Sequence, residues 1–436
     1  MRSVKRVLIV FLCLLLTGTS GVFAQTNARA MGMGLAYTAV ARGVYAPAWN
    51  PANLGLPDNP KSSFCFFSIS AGLGNNAFTK QLYDKFFVEG ADENNKIYWS
   101  SSDVNTLLSY IPDKGFLGYA LTNVQLLSFS VGRFAFSIRA FGSMFSRLNK
   151  EYFEIPLIGN KMNTIYNMNK TKAAGMGIGI VSFSYGHPIN VDFAKAFSVG
   201  ASFKMLYGLG YANSDKASMI FETAPYGFNV HGAYEATVAA GGLGWGFDIG
   251  TAMKLNDKWD FSLSMSNALS NISWQDPKKE MGCFKGDSLY VISFDDSEEI
   301  GIEDSSWSID KDKFSRGVPS VIRFGAAYRE DGFLISADYI QAFTESAFYS
   351  TSPRFLLGTE WSGIDFLPLR MGVGVGGRLG TTLSFGFGLH LGSFNLDIGI
   401  MNRGFLNPNT SKGFNVAFDM SIIPSIKKNV TVSDFR

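Results

Sequence analysis

Residues 245–255 read Trp245-Gly-Phe-Asp-Ile-Gly-Thr-Ala-Met-Lys-Leu255. Successive side chains of an extended chain point to opposite sides. Trp245, Phe247, Ile249, Met253 and Leu255 therefore share one face, and Gly246, Asp248, Gly250, Ala252 and Lys254 the other. Asn256-Asp257 turns the chain, after which Trp259, Phe261, Leu263 and Met265 resume against Asp260, Ser262, Ser264 and Ser266. A strand of a soluble sandwich also alternates, but its polar face meets water and is rich in Lys and Glu. Here the polar face is small, as a barrel lumen requires, and the apolar face is large, as lipid requires.

The composition carries the same bias. Of 436 residues, 46% are hydrophobic, 14% aromatic and 17% charged, against about 25% charged in a soluble domain. Beyond the first 25 residues no apolar run reaches the ~18 residues of a membrane helix. Low charge, 47 glycines and 39 phenylalanines without such helices fit a transmembrane β-barrel. The net charge of +2 gives no reason to invoke nucleic acid. Residues 1–24 read as a signal peptide, with Arg2, Lys5 and Arg6, an apolar core from Val7 to Leu16, and Val22-Phe23-Ala24 at the cleavage site. Cys13 lies within that core and does not resemble a lipidation cysteine. Cys65 and Cys283 remain; an oxidising compartment permits a bridge, but their separation favours two isolated thiols, and no spacing suggests a metal or other cofactor.

The same period places strands near 62–72, 118–130, 133–146, 174–186, 196–211, 244–255, 258–270, 319–329, 332–343, 353–362, 366–376, 381–391, 393–402 and 412–422. Each approaches the ~9–11 residues of a tilted spanning strand. Within 174–186 the apolar phase changes between Ile180 and Val181, which suggests a bulge or a misplaced strand boundary. Connections after even-numbered strands are short, for example Gly132, Asn256-Asp257, Glu330-Asp331 and Gly392. Those after odd-numbered strands, at 73–117, 147–173, 212–243, 271–318 and 344–352, are mostly long. Outer-membrane barrels pair short periplasmic turns with long extracellular loops. An even strand count then returns both ends of the barrel to the periplasm.

Three of the long loops have character. In 73–117, Phe78, Leu82, Tyr83, Phe86 and Phe87 recur at helical spacing, and Ser101 to Ile111 forms a second helix with Asp103 as N-cap. In 271–318, Asp295, Asp296, Glu298, Glu299, Glu303 and Asp304 are strongly acidic but lack calcium-loop spacing, so a solvated loop is expected. Residues 212–243 suit an extra hairpin above the membrane. Gly372-Val-Gly-Val-Gly-Gly377 satisfies a dinucleotide pattern, yet its glycines alternate within a strand and no helix follows. No nucleophile elbow or His/carboxylate ligand spacing appears, so no enzyme activity is expected. Inward polar candidates are Arg139, Asp248, Asp260, Arg323, Asp338, Arg370, His390 and Asp397; lumen solvation and mutual pairing account for them more readily than ligand binding.

Between leader and first strand lies Ala28 to Pro57, ARAMGMGLAYTAVARGVYAPAWNPANLGLP, nearly free of charge and rich in Gly and Ala. Small residues permit close approach, and Pro47 and Pro51 prevent a long helix or a central strand. Such a segment suits the inside of a barrel; a featureless leader is the alternative. It resembles the N-terminal hatch of FadL-like outer-membrane transport proteins. The likeness extends to Gly244–Gly250, to Val318–Tyr328 followed by Asp338-Tyr339, and to Phe387–Leu391 with Leu396-Asp-Ile398. It is closest to the PorV-like branch.

The resemblance implies an all-β architecture: a transmembrane antiparallel β-barrel of about fourteen strands with an N-terminal lumen plug, alongside the short helices expected in an extracellular loop. The chain then divides into signal peptide 1–24, hatch 25–61, barrel 62–422 and periplasmic tail 423–436. Gating falls to Asn50, Pro51, Ala52, Gly32 and Gly34. The expected function is passive passage of small, fatty-acid-like hydrophobic compounds through hatch and lateral opening, with outer-membrane lipids and the solute as partners. A PorV-like carrier or scaffold for type IX secretion proteins, without solute flux, is the alternative. A hydrolase has only its barrel context in favour. Cysteines introduced at Asp296 and Asp257 are expected to differ in labelling on intact cells, with Asp296 accessible; equal labelling overturns the topology.

Overall fold

The alternating segments form fourteen strands. They are β1 Ser62–Asn75, β2 Phe116–Val131, β3 Phe134–Leu148, β4 Lys172–Ile189, β5 Ala196–Ala224, β6 Gly242–Lys254 and β7 Trp259–Trp274. The remainder are β8 Val321–Glu330, β9 Phe333–Ala342, β10 Arg354–Trp361, β11 Leu369–Gly376, β12 Thr382–Leu391, β13 Phe394–Arg403 and β14 Gly413–Ile422. All neighbours are antiparallel. β1 pairs with β2 through Phe64↔Phe129 and with β14 through Phe64↔Ile422, which closes the barrel and leaves it no free edge. The computed structural model describes residues 27–88, 99–159, 161–169, 171–225, 227–289, 302–346, 349–404 and 408–424. The expected signal peptide, the acidic positions Asp295, Asp296, Glu298 and Glu299, and tail residues 425–436 lie outside these.

Apolar side chains such as Phe247, Leu263, Phe324, Ile335, Leu357 and Met371 are exposed around the outside, forming a belt. Trp245 and Trp259 stand at opposite ends of the β6–β7 hairpin, where interfacial aromatics belong. Polar positions of the same strands, including Asp248, Asp260, Ser262 and Ser264, are buried inside. The short turns use the local chemistry their geometry needs. Asn256 accepts from the Lys258 and Trp259 amides at 2.9 Å each, and Asp331-Gly332 takes up positive φ at 44° and 80°.

The long-loop end departs from expectation in several details. Helices Lys80–Phe87 and Ser101–Ser109 pack with a third, Glu151–Ile158, around Leu82, Phe86, Leu107 and Leu108. Ser100, not Asp103, is the N-cap: its hydroxyl accepts from the Asp103 amide at 3.2 Å, while Asp103 accepts from the Ser100 amide at 3.1 Å. β5 runs on to Ala224 and pairs with Gly227–Ala239. That strand pairs with Lys278–Leu289, which in turn pairs with Glu303–Asp310. The described part of 271–318 is therefore sheet rather than loose loop. The Phe284 ring covers Gly232 and the Tyr234 ring covers Gly282, a cross-strand fit that fixes register.

The lumen has two storeys. Asn27 to Pro60 fills the short-turn half. Above it, Met176, Ile178, Ile180, Leu206, Ile272, Trp274 and Val321 pack against one another as a filled apolar chamber at the long-loop half. At Ile180/Val181 there is neither a bulge nor a strand boundary, the two readings the phase change suggested. Burial alternates without a break from Met176 to Gly186, and the register shift falls at Gly177/Ile178, opposite β5. What changes at that point is the chemistry of the inward face, from apolar in the chamber to Ser182 and Ser184 beside the plug. Phe247→Lys is expected to destabilise the barrel by roughly 2–4 kcal/mol, the usual cost of a lipid-facing lysine near mid-membrane. Refolding into vesicles measures this; unchanged stability reverses the inside/outside assignment.

Candidate functional site

The plug is built from short pieces: a helix Ala28–Gly32, single turns at Gly43–Tyr45 and Ala46–Trp49, and a 3-10 turn Pro51–Gly55. The turns follow from sequence, since Pro47 and Pro51 sit in the first turn of their elements, where a missing N–H costs nothing. Asn50 is completely buried. Its Oδ1 accepts from the Ala52 amide at 3.0 Å, and its Nδ2 donates to the Thr251 carbonyl of β6 at 2.8 Å. Ala52 passes its own carbonyl to the Ser198 hydroxyl of β5. Asn53, which sequence reasoning did not single out, donates to the Thr38 and Ala41 carbonyls at 2.9 Å each and accepts from Ser262 at 2.9 Å. It ties the plug to itself and to β7.

Close approach is made possible by inward glycines. Gly186, Gly200, Gly250, Gly325, Gly358 and Gly372, on six different strands, face plug backbone or the Asn50 amide with no room for a Cβ. Gly32 packs on the Gly386 backbone in the same way. Gly34 adds a positive φ of 64° and lies against Gly372 and Val373. Gly250 thus faces the plug, so a side chain there meets Asn50.

Charged side chains fasten the plug at its beginning, through Arg29, and at its middle, through Arg42. Arg29 donates to both oxygens of Glu360, at 2.8 and 2.6 Å. Glu360 also accepts from Arg370, which reaches Asp397 at 2.6 Å, and His390 closes the chain at 3.2 Å from Asp397. Arg42 bonds Asp58 and Asp260 at 2.9 Å each, and Lys254 and Arg329 share the Asp260 carboxylate. Burial alone would raise the Asp58 carboxyl, but Arg42, Lys254 and Arg329 hold it well below the ordinary range. A lowered carboxyl stabilises above its unfolded pKa, so this contribution fades as pH falls. Asp338 accepts from the Tyr37 and Thr38 amides at 3.1 and 2.9 Å, and Asp419 from the Ala28 amide at 2.7 Å.

Of the polar residues anticipated, Arg370, His390 and Asp397 come together, while Asp260 and Asp338 are engaged by the plug rather than by each other. Asp248 pairs with Lys204 at 2.5 Å, and Arg139 and Arg323 stand near the plug's Trp49. Arg29, Arg42, Lys204, Glu360 and Asp419 were missed. Arg29 and Arg42 were visible as the lone charges between Ala28 and Pro57, and Glu360 lies in phase with the inward residues of β10. Cys65 is buried, Cys283 is exposed, and both are free.

Residues 51–400 match a family described as being of unknown function (DUF5723). The chain belongs to that family. No curated protein matches the sequence. Among solved structures, the Pseudomonas putida toluene transporter TodX is similar at a TM-score of 0.53 and 12% identity, over 92% of this chain and 99% of that one. The Ralstonia pickettii toluene transporter TbuX gives 0.51 and 14%, over 92% and 99%. A Pseudomonas aeruginosa FadL homologue gives 0.52 and 13%, over 93% and 100%. At such identities the likeness concerns the fold: this DUF5723 member shares their barrel.

Gly250→Ser is expected to lower the thermal midpoint in detergent, since overpacking typically costs about 1–3 kcal/mol. Gly210→Ser, where a Cβ meets open space, is expected to be neutral. Equal midpoints for the two variants would show that the plug does not bear on β6.

Proposed function

We propose that this protein resides in the outer membrane after signal-peptide cleavage and lets small hydrophobic compounds diffuse inward, with the plug acting as a hatch in its closed position. The observation that carries this reading is the apolar chamber beside an interrupted wall. β7 and β8 pair up to Ser266↔Val321, and main-chain bonding to β7 resumes where the Arg316 amide donates to the Ile272 carbonyl at 2.9 Å, followed by Ser273↔Ser315. Between these points Asn267, at φ 52°, turns the strand out of register with β6. Side chains bridge the gap: Ser270 to the Val318 carbonyl at 2.8 Å, Asn267 to Pro319 at 3.1 Å and Ser320 to Asn267 at 2.6 Å. Ile272, Trp274, Val318 and Val321 of the chamber line this stretch. A solute entering from the long-loop side would meet apolar side chains, then a choice between hatch and wall.

The three similar structures, two named as toluene transporters and one as a FadL homologue, support the class; fatty-acid-like compounds are the substrate type we propose within it. Gating would rest on Asn50, Pro51 and Ala52, whose contacts to β5 and β6 are neutral hydrogen bonds, and on Gly32 and Gly34, which let the hatch lie against β11 and β12. The second reading, a PorV-like carrier barrel in type IX secretion, draws support from how completely Ala28 to Leu56 is buried and fastened.

Uptake separates the two. Cells carrying the protein are expected to take up a radiolabelled hydrophobic compound several-fold faster than cells lacking it, and Ile178→Asp is expected to abolish the difference with the barrel still heat-modifiable. Deleting 25–56 is expected to raise ion conductance in planar bilayers. No uptake difference, together with unchanged conductance of a folded deletion variant, overturns transport and leaves the carrier reading.

A further inference from the structure

At the short-turn mouth of the barrel, on the far side of the plug from the chamber, lies an open cleft of about 490 Å³. Its floor is the end of the plug, Leu54 to Pro57, and its opposite wall is the β4–β5 connection, with Pro188, Ile189, Val191 and Phe197. Gly55 lies against Gly186, His187 and Ser198 with no room for a Cβ, so floor and wall are fixed to each other. The rim carries Lys61, Arg133 and Lys195 and one carboxylate, Asp192. Lys195 is bonded to Asp257. Lys61 and Arg133 are exposed, and among the described residues neither has an acidic partner within 4.0 Å. The fold brings these two together: the Gly132 amide, next to Arg133, donates to the Lys61 carbonyl at 2.8 Å. Asn59 ties this corner to the plug, accepting from the Gly43 amide at 2.8 Å and donating to the Gly132 carbonyl at 2.9 Å.

Small-molecule sites commonly enclose roughly 300–1,000 Å³, with apolar walls and a few placed polar groups. This cleft offers apolar surface to water and, at one corner, two cations without a counter-charge. A neutral apolar compound answers only the first and a hydrophilic anion only the second, whereas one molecule with a chain and an anionic head answers both. We propose that the cleft binds a single-chain anionic amphiphile, with its headgroup at Lys61 and Arg133 and its chain over Leu54, Leu56 and Phe197. The bound chain covers the plug directly after Asn50, where the plug is held by neutral hydrogen bonds, and so steadies it in its seated position. The site stands whether the barrel transports solutes or carries proteins.

The test uses the full-length protein in nanodiscs of zwitterionic lipid, where no detergent competes for the cleft. Octanoate is expected to raise the thermal midpoint by a few degrees, as for any ligand of the native state. Octanol and acetate, each lacking one half of the ligand, are expected to give less than half that shift. The Lys61→Gln, Arg133→Gln double variant, altered only at exposed side chains, is expected to fold and to lose the octanoate response. Should it fail to fold, crystals of the unaltered protein soaked in 8-bromooctanoate decide, with an anomalous bromine peak expected beside Leu56 and Phe197. No shift with octanoate, an unchanged response in the folded double variant, or no bromine peak in the cleft overturns the proposal. So does an equal shift with octanol, which would leave an apolar groove without a headgroup site, or with acetate, which would leave surface cations without a chain site.

Discussion

A fourteen-stranded barrel encloses more space than glycine, serine and alanine side chains fill, and everything inside this one follows from filling it with main chain. The inner wall is bare at the glycines that meet the plug, and the plug is correspondingly short of side chains. Backbone against backbone in a dry interior leaves amides and carbonyls that need partners. Asn50, Asn53, Asp338, Asp419, Ser198 and Ser264 supply them, each reaching from one layer to a main-chain group of the other or closing a turn within the plug. The small residues and the polar ones are thus two halves of one requirement. A larger residue at Gly250 and a lost amide at Asn50 disturb the same contact.

The plug is not held evenly. Its beginning and its middle are fixed by charge: Arg29 enters the Glu360–Arg370–Asp397 chain, and Arg42 enters the Asp58–Asp260 cluster. Removing one partner from such a buried set typically costs about 3–5 kcal/mol, because the other charge stays behind. From Asn50 to Gly55 the bonds are neutral, each worth a net ~0.5–1.5 kcal/mol. The stretch best able to yield is therefore Asn50 to Gly55, within a loop whose two ends, at Arg42 and Asp58, are tied to each other in one charged cluster. A hatch that moves there need not leave the barrel.

The strands were legible because lipid and lumen impose opposite demands on adjacent residues, and that demand repeats every second position. Phe247 and Asp248 declare their sides without knowledge of any partner. The plug was legible as a poor candidate for every environment except a barrel interior. Its partners were not, because Arg29 and Glu360, or Tyr37 and Asp338, are brought together by barrel closure across some three hundred residues. Chain-local reasoning sees a charge and its phase, not what stands opposite. The change at Ile180/Val181 shows the limit well: the sequence marked the border between chamber and plug, and the period rule alone read it as a bulge or a strand boundary. Ser100 was hidden for a different reason, since the capping box makes Asp103 look like the cap it completes.

The closed chamber does not by itself argue against passage of apolar solutes. Its filling is close-packed apolar side chains, of which the unbranched Met176 is the most adaptable, and a hydrophobic solute that displaces them offers apolar contacts in return. Polar solutes gain nothing there, so selectivity needs no dedicated binding group. The wall beside the chamber is the part of the barrel where main-chain pairing gives way to Ser270, Asn267 and Ser320 hydrogen bonds. Such bonds are exchanged with water or solute more readily than a ladder, whose members break only together. The apolar layer and the stretch of wall held by side-chain hydrogen bonds therefore lie side by side, and it is this adjacency, rather than either feature alone, that the proposed route into the bilayer uses.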